Sequence, residues 1–532
     1  MPLRPAALLL LLALPVLGEL SADEWQHVRQ EAARLATKTG DLDRKLDLIR
    51  AVSKEDSERT ARLLLEVAAS AAKRREALTS RVAKARSNFM KLSRRLRKKY
   101  GHEATQEAFE QDPRWLASRE AYEGLRADLE TEGGVLQALA DAFGRVRSSE
   151  AIAVLADRSA REVAGAYRSL EVRNGILRAL FAQPVDAVAE PLVVFATDAA
   201  MPEGRARVLR WIGDRKVRAG YEAAIVSLKA AESAVARAAV SALDALDDPR
   251  SVPALIRARR KASGLLAAEI ERTLHHFTGR RFFGPGADAM WSGWWRAEGE
   301  AWLRTATPER HEPVDPGPIG GAQFYGIATR SDRIVFVLDR SGSMQHPVPQ
   351  VGPVSGATPD TRVPGGTKLE VAKNQLARTI RQLDPGVKIA VVFYSHEVQV
   401  WQKPPGMVPA TPANKKKAID WFMRQQPVGS TQIFLALEAA LRYAKVGGGK
   451  SKTDPRGADT IFLLSDGAPT VAGTSTLLQG PALRRAVKDF LDANQAFGCV
   501  VHTIGIGPEH NRALMQRLAY ATGGTYKAVG AR

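Results

Sequence analysis

Apolar positions along the chain follow three regimes. From Ala22 to about Glu130 the sequence is polar, charged and free of strand-like runs. Leu46, Leu48, Ile49 and Val52, then Leu63, Leu64, Leu65 and Val67, recur there at helical spacing. Ser53, with Asp56 three residues on, reads as a helix start. Ser57 to Lys99 contains neither Gly nor Pro, which predicts one long helix or a helical hairpin ended by Gly101. The first regime is a helical stalk or bundle over residues 19–130.

The second regime, from about Gly133 to Phe277, repeats the plan apolar helix, polar turn, apolar helix. In its clearest unit Val235 to Leu246 is followed by Asp247-Asp248-Pro249-Arg250 and then Ser251 to Ile256. Glu171 to Asp198 and Glu203 to Lys229 follow the same scheme, and a degenerate unit starts at Val135. The period is roughly 30–36 residues, in the range of helical-pair solenoids. The Asp-Asp-Pro-Arg turn followed by Val-Pro-Ala-Leu resembles HEAT-type repeats. A stack of such pairs leaves a long groove of the kind that binds proteins. Met290 to Trp295 holds three of the nine tryptophans. It reads as a cap over the last apolar face, with a carbohydrate or aromatic-cage site as the alternative. Thr305 to Gly321, rich in Pro, Gly and charge, is a linker.

The third regime alternates strands with helices. Ile334 to Leu338 is an apolar run rich in β-branched residues, the signature of a strand buried on both faces. Val387 to Tyr394, Thr460 to Leu464 and Cys499 to Ile504 are further strands. Helical patterns cover Lys368 to Leu383, Pro412 to Gln425, Phe434 to Ala444, Pro481 to Phe497 and Asn511 to Thr522. This alternation predicts a doubly wound α/β sheet whose ligands sit beyond the strand C-termini.

Three polar clusters fall on that edge: Asp339, Ser341 and Ser343 after the first strand; Gly429-Ser430-Thr431 before a helix; and Ser465-Asp466-Gly467 after another strand. Asp339-x-Ser341-x-Ser343, Thr431 and Asp466 resemble, in order and context, the metal-ion-dependent adhesion site of the von Willebrand factor A (VWA) family. The resemblance covers roughly 200 residues. It implies Mg2+ (or Mn2+) held by the serine hydroxyls and, directly or through water, by Thr431 and the two aspartates. The donor chemistry agrees, because Mg2+ is a hard cation that takes six oxygens and keeps waters readily. An under-supplied shell leaves a position for a partner's carboxylate. Without His or Cys among the ligands, zinc does not suit the set. As an alternative, Asp339, Ser341 and Ser343 are turn and helix-cap residues only. A Pro/Gly/Thr-rich insertion, Gln345 to Gly366, follows the first cluster. It either shapes partner specificity or is an irrelevant loop.

The expected architecture is multidomain, α and α/β. A helical region at 19–130 precedes a HEAT-like α-solenoid with its Trp-rich cap at 131–302. A linker at 303–330 then leads to a C-terminal doubly wound α/β (VWA, Rossmann-like) domain at 331–532. Residues 1–18 read as an export signal, with Arg4 ahead of the apolar run Ala6 to Leu14 and a cut after Gly18. The protein is therefore expected in the periplasm, at the cell surface or outside the cell, with no membrane span after the signal.

Composition refines this picture. The 532 residues are 45% apolar, 25% charged and 6% aromatic, as in a folded protein rich in helix. Cys499 is the single cysteine and lies in a buried-strand pattern, so no disulfide forms within this sequence and the thiol is expected to be inert. A net charge of +19 points to an anionic partner. Lys91, Arg94, Arg95, Arg97, Lys98 and Lys99 concentrate that charge on the long helix. They are either a site for an anionic surface polymer or phospholipid head groups, or a solvated helix end. Nucleic acid is rarely met by an exported protein.

The function expected from the chain is adhesion or scaffolding, with a protein ligand presenting Asp or Glu to the metal. A basic envelope-polymer binder is the alternative. A metal-dependent hydrolase is disfavoured: aspartate-nucleophile phosphatases need a second carboxylate two positions on, where this chain has Ser341, and no nucleophile–base motif appears. His275 and His276 are adjacent on a helical stretch, so their side chains diverge by about 100°.

Overall fold

The structure is a computed structural model that describes residues 22–37, 41–100, 109–157, 165–198, 201–306, 311–312, 323–348, 366–403, 406–444, 456–471 and 474–530. The export signal read at 1–18 and most of the Gln345–Gly366 insertion lie outside these residues. So does most of the linker segment Thr305–Gly321. The chain divides into two units, Met1–Pro191 and Leu192–Arg532.

The first unit is helical. Its longest element, α1 (Glu58–Tyr100), follows the Gly- and Pro-free stretch as one continuous helix. The start differs in detail from the expected cap. Ser57, not Ser53, accepts from the amide of Thr60, at 3.3 Å. The Asp56 carboxylate accepts instead from the amides of Arg147 and Ser148, at 2.7 and 2.8 Å. Helix α2 (Pro113–Phe143) opens on Pro113 after Asp112, whose side chain accepts from the amides of Arg114 and Trp115. Both choices satisfy donors that the first helical turn leaves free. Leu64, Leu65 and Ala68 of α1 and Leu136 and Leu139 of α2 are fully buried. Glu132, also buried, accepts from Lys45 at 2.7 Å and from Arg74 at 3.0 Å.

The second unit begins with further helices, among them α3 (Pro202–Asp214), α4 (Ser233–Leu246) and α5 (Gly264–Thr278). Helix α3 crosses α4 closely enough that a Cβ at Gly213 would stand 3.0 Å from the Ala242 Cα. At the Asp-Asp-Pro-Arg turn Asp247 adopts φ 57°, ending α4, and Asp248 accepts from the amide of Arg250. In the tryptophan cluster Trp291 and Trp294 are buried and pack edge to face at 5.8 Å, and the Trp291 indole donates to the Phe282 carbonyl.

The α/β part follows. Strands β1 (Gln323–Phe324) and β2 (Ile327–Ala328) form a small hairpin. The main sheet comprises β3 (Arg333–Asp339), β4 (Lys388–Tyr394), β5 (Val398–Val400), β6 (Val408–Pro409), β7 (Thr460–Ser465), β8 (Val500–Ile506) and β9 (Tyr526–Val529). Their order is β5-β4-β3-β7-β8-β9, with β6 also on β4. Strands β4, β3, β7, β8 and β9 run parallel, while β5 and β6 are antiparallel to β4. The sheet is thus mixed. The edge strands are short and half-exposed, so they carry no hydrophobic period. Helices α6 (Lys368–Gln382), α7 (Pro412–Met423), α8 (Ile433–Ala444), α9 (Gly480–Asn494) and α10 (Arg512–Tyr520) connect the strands. Every residue of β3 is buried, and Phe336 stacks on Phe462 of β7 with ring centroids 5.6 Å apart.

Helices and sheet meet within this unit. Arg237 of α4 donates twice to Glu269 of α5, at 2.6 and 2.9 Å, and once to the Gly498 carbonyl before β8, at 2.8 Å. Beside this contact lies Cys499, buried and free, whose thiol burial pushes up to about 12. A thiol reagent at pH 8 is therefore expected to leave native protein untouched and to titrate one group after denaturation; rapid native labelling would contradict the packing.

His502 of β8 stacks on Phe462 at 4.8 Å, and burial lowers its pKa to about 4. The unfolded chain binds the proton more readily between about 6.5 and 4. The neutral ring's contribution is thus complete above pH 6.5 and lost as pH falls through 4. His502→Phe should narrow the stability difference between pH 7 and pH 4.5 by about 2 kcal/mol relative to the parent, as read by urea unfolding. Parallel curves for the two proteins would reject a buried neutral imidazole.

Candidate metal centre

The centre lies at the C-terminal ends of the three middle strands. β3 is central, with Asp339 paired in register with Tyr394 of β4 and Leu338 with Leu464 of β7. Parallel register brings the residues leaving β3 and β7, Asp339 and Asp466, to the same sheet edge. Backbone hydrogen bonds then tie the loops to one another. Arg340 N donates to Tyr394 O at 2.8 Å, Gly342 N to Gly429 O at 2.8 Å, Val428 N to Arg340 O at 2.7 Å and Thr470 N to Thr431 O at 2.9 Å.

Four of the five expected ligands form one hydrogen-bonded chain. The Asp339 carboxylate accepts from the Ser341 amide and from the Ser465 hydroxyl, both at 2.7 Å. Ser341 Oγ lies 3.2 Å from Ser343 Oγ, which donates to Asp466 Oδ1 at 2.8 Å. Thr431 makes no hydrogen bond to these four among the described residues, but its hydroxyl borders the same loop: a Cβ at Gly467 would stand 3.8 Å from Thr431 Oγ1. Asp339, Ser341, Thr431 and Asp466 are buried, and Ser343 is half-buried.

Two contributors were not assigned a role from the sequence. Ser465, in sequence simply a neighbour of Asp466, fixes the second oxygen of Asp339 with its hydroxyl. Lys368 is, in sequence, simply the start of a helix. Its ammonium donates to Asp466 Oδ2 at 2.7 Å, with 5% of the lysine side chain and none of the aspartate exposed. Nothing in local sequence pattern identifies such a pair, because the contact spans 98 positions. The Thr367–Glu370 capping box seats Lys368 at the first turn of α6, and the ends of the insertion are held together by Val348 N donating to Gly366 O at 3.2 Å.

Electrostatics distinguish the two carboxylates. Burial, then the charge of Asp466, raises the Asp339 pKa to about 6, against the lowering effect of its serine donors. Among the described residues Asp339 has no cationic neighbour in hydrogen-bond contact, whereas Asp466 has Lys368. A divalent cation would relieve that burden. The donors suit one. Neighbouring oxygens around octahedral Mg2+, at about 2.0–2.1 Å from the ion, stand about 2.9 Å apart. The Ser341–Ser343 and Ser343–Asp466 spacings bracket that value.

The structure is thus an open α/β sheet with acidic and hydroxyl side chains gathered at its central strand ends, the edge at which such sheets bind ligands. Residues 333–529 match the von Willebrand factor type A domain family, and the C-terminal part of the chain is such a domain. Similar proteins include inter-alpha-trypsin inhibitor heavy chain H4 of Homo sapiens, 24% identical over 204 residues that make up 38% of this chain and 19% of the relative. Heavy chain H1 of Mesocricetus auratus is 26% identical over 156 residues, 29% of this chain and 15% of the relative. The chain thus spans only about a fifth of the length of the curated relatives it matches. Among solved structures, a von Willebrand factor type A protein from Catenulispora acidiphila aligns at 23% identity and a TM-score of 0.28, covering 38% of this chain and 39% of that one.

Proposed function

We propose that this protein binds a partner protein through its von Willebrand factor type A domain, with a divalent cation bridging the domain to an Asp or Glu of the partner. The observation that carries the reading is the chain of oxygens from Ser341 through Ser343 to Asp466 beside the strained carboxylate of Asp339. Ser341 and Ser343 would hold Mg2+ or Mn2+ directly; Asp339, Asp466 and Thr431 would do so directly or through water. The cation supplies a Lewis-acidic site for one external carboxylate oxygen. The chain's own residues hold it, orient it and exclude water from its inner side.

The rim suits a protein ligand. Val428, on the loop bonded to Arg340, and Val471 and Leu477, on the loop after Asp466, are large apolar side chains about 40–50% exposed. Exposed apolar side chains of this size are surface that a protein ligand can bury on docking. The proposed role is binding rather than catalysis. Export, and a second binding surface on HEAT-like helical pairs, complete the proposal.

Capture from an extract of the native envelope tests it. Partner retention on the immobilised full chain should require Mg2+, vanish with chelator and be competed by millimolar acetate. Retention indifferent to chelator would reject the metal bridge.

A further inference from the structure

The basic end of α1 is not absorbed by the metal-dependent reading. No acidic residue occurs between Ala77 and Tyr100, a stretch that carries the six cations from Lys91 to Lys99 and three more upstream, Arg81, Lys84 and Arg86. All nine are exposed, and among the described residues none forms an ion pair. The buried contacts of this end are on another face. Leu96 packs with Phe109 and Trp115, with Phe89 and Leu92 against them. At about 100° per residue, Leu78, Leu92 and Leu96 mark one side, while Arg86, Arg94, Arg97 and Lys98 fall within about 120° of one another on the opposite, solvated side. That stripe runs about 18 Å along the helix. Met90, 43% exposed, lies in the same solvated arc between Arg86 and Arg94.

We infer that the C-terminal half of α1 is a docking face for an anionic lipid surface, with the lysine and arginine stripe on the head groups and Met90 entering the interface. A straight row of unpaired cations touches a plane along its whole length at once. Each Lys or Arg near such a surface contributes about 1 kcal/mol, roughly fivefold in partition. The exposed methionine among the cations favours head groups with acyl chains beneath them over a purely polar polyanion.

The test uses the full chain and sedimentation with vesicles of phosphatidylcholine, alone or with about 30% phosphatidylglycerol. The wild type should bind the anionic vesicles at least about tenfold more tightly than neutral ones, and progressively less as salt rises. Charge reversal on the stripe (Arg86→Glu, Arg94→Glu and Lys98→Glu together), with helicity checked by circular dichroism, should weaken binding at least about hundredfold. The same net change at exposed lysines elsewhere (Lys229→Glu, Lys261→Glu and Lys417→Glu) should weaken it less than tenfold. Asp339→Ala should bind vesicles like the wild type, which separates this face from the metal centre. Equal losses in the two triple variants would reduce the effect to net charge and overturn the inference. So would retention on duplex DNA without vesicle binding, which would assign the stripe to nucleic acid.

Discussion

Asp339→Asn is expected to abolish measurable Mg2+ binding while making the metal-free protein more stable. The two effects have one cause. The native carboxylate is fully buried, its pKa is raised by that burial and by Asp466, and among the described residues it is bonded to neutral donors only. An amide fills the same space, still accepts from the Ser341 amide and can donate to Ser465, yet brings no charge into the interior. At pH 7.5 a gain of about 1–3 kcal/mol in unfolding free energy is expected. Asp466→Asn also removes metal binding but acts oppositely on the fold. It leaves the Lys368 ammonium buried without its counter-charge, and breaking a buried pair from one side costs about 3–5 kcal/mol. Calorimetric titration with Mg2+ and urea unfolding of both variants read the contrast; equal destabilisation by the two would show that the carboxylates share one environment.

Lys368→Met should tighten Mg2+ binding by about tenfold or more. The ammonium touches Asp466 Oδ2 while the other oxygen of that carboxylate faces the serines. It is therefore a fixed positive charge next to the cation's place, and repulsion at such range in a partly buried setting amounts to kilocalories per mole. The same charge adds to the positive field met by an arriving carboxylate, so the variant should hold metal better and a partner's acid less well. Metal-free Lys368→Met should also melt lower, because Asp466 loses its counter-ion. Weaker Mg2+ binding in this variant would mean that Lys368 acts chiefly by positioning Asp466.

The α/β core was legible because its strands are long apolar runs. Ile334 to Leu338 predicts β3 to within one residue at each end, and Val387 to Tyr394 predicts β4. Strands β5 and β6 escaped because two or three half-exposed residues carry no pattern, and β9, Tyr526–Val529, escaped because only Val529 is buried. Among site residues, Asp339, Ser341, Ser343 and Asp466 come together because parallel register places strand ends on one edge, a consequence of topology that alternation already implies. Lys368 did not stand out, since a lysine opening a helix is ordinary until tertiary folding sets it against a carboxylate 98 residues away. The start of α1 shows the same limit: Asp56 has the sequence of a capping partner, but the amides of Arg147 and Ser148, distant in the chain, claim it.

Crystals of the full chain soaked in Mn2+ and measured at the manganese edge test the centre itself. A single anomalous peak is expected within about 2.3 Å of both Ser341 Oγ and Ser343 Oγ, with solvent on its outer side. A well-ordered site without that peak, at millimolar Mn2+ and neutral pH, would contradict the hard-cation assignment and with it the bridged carboxylate.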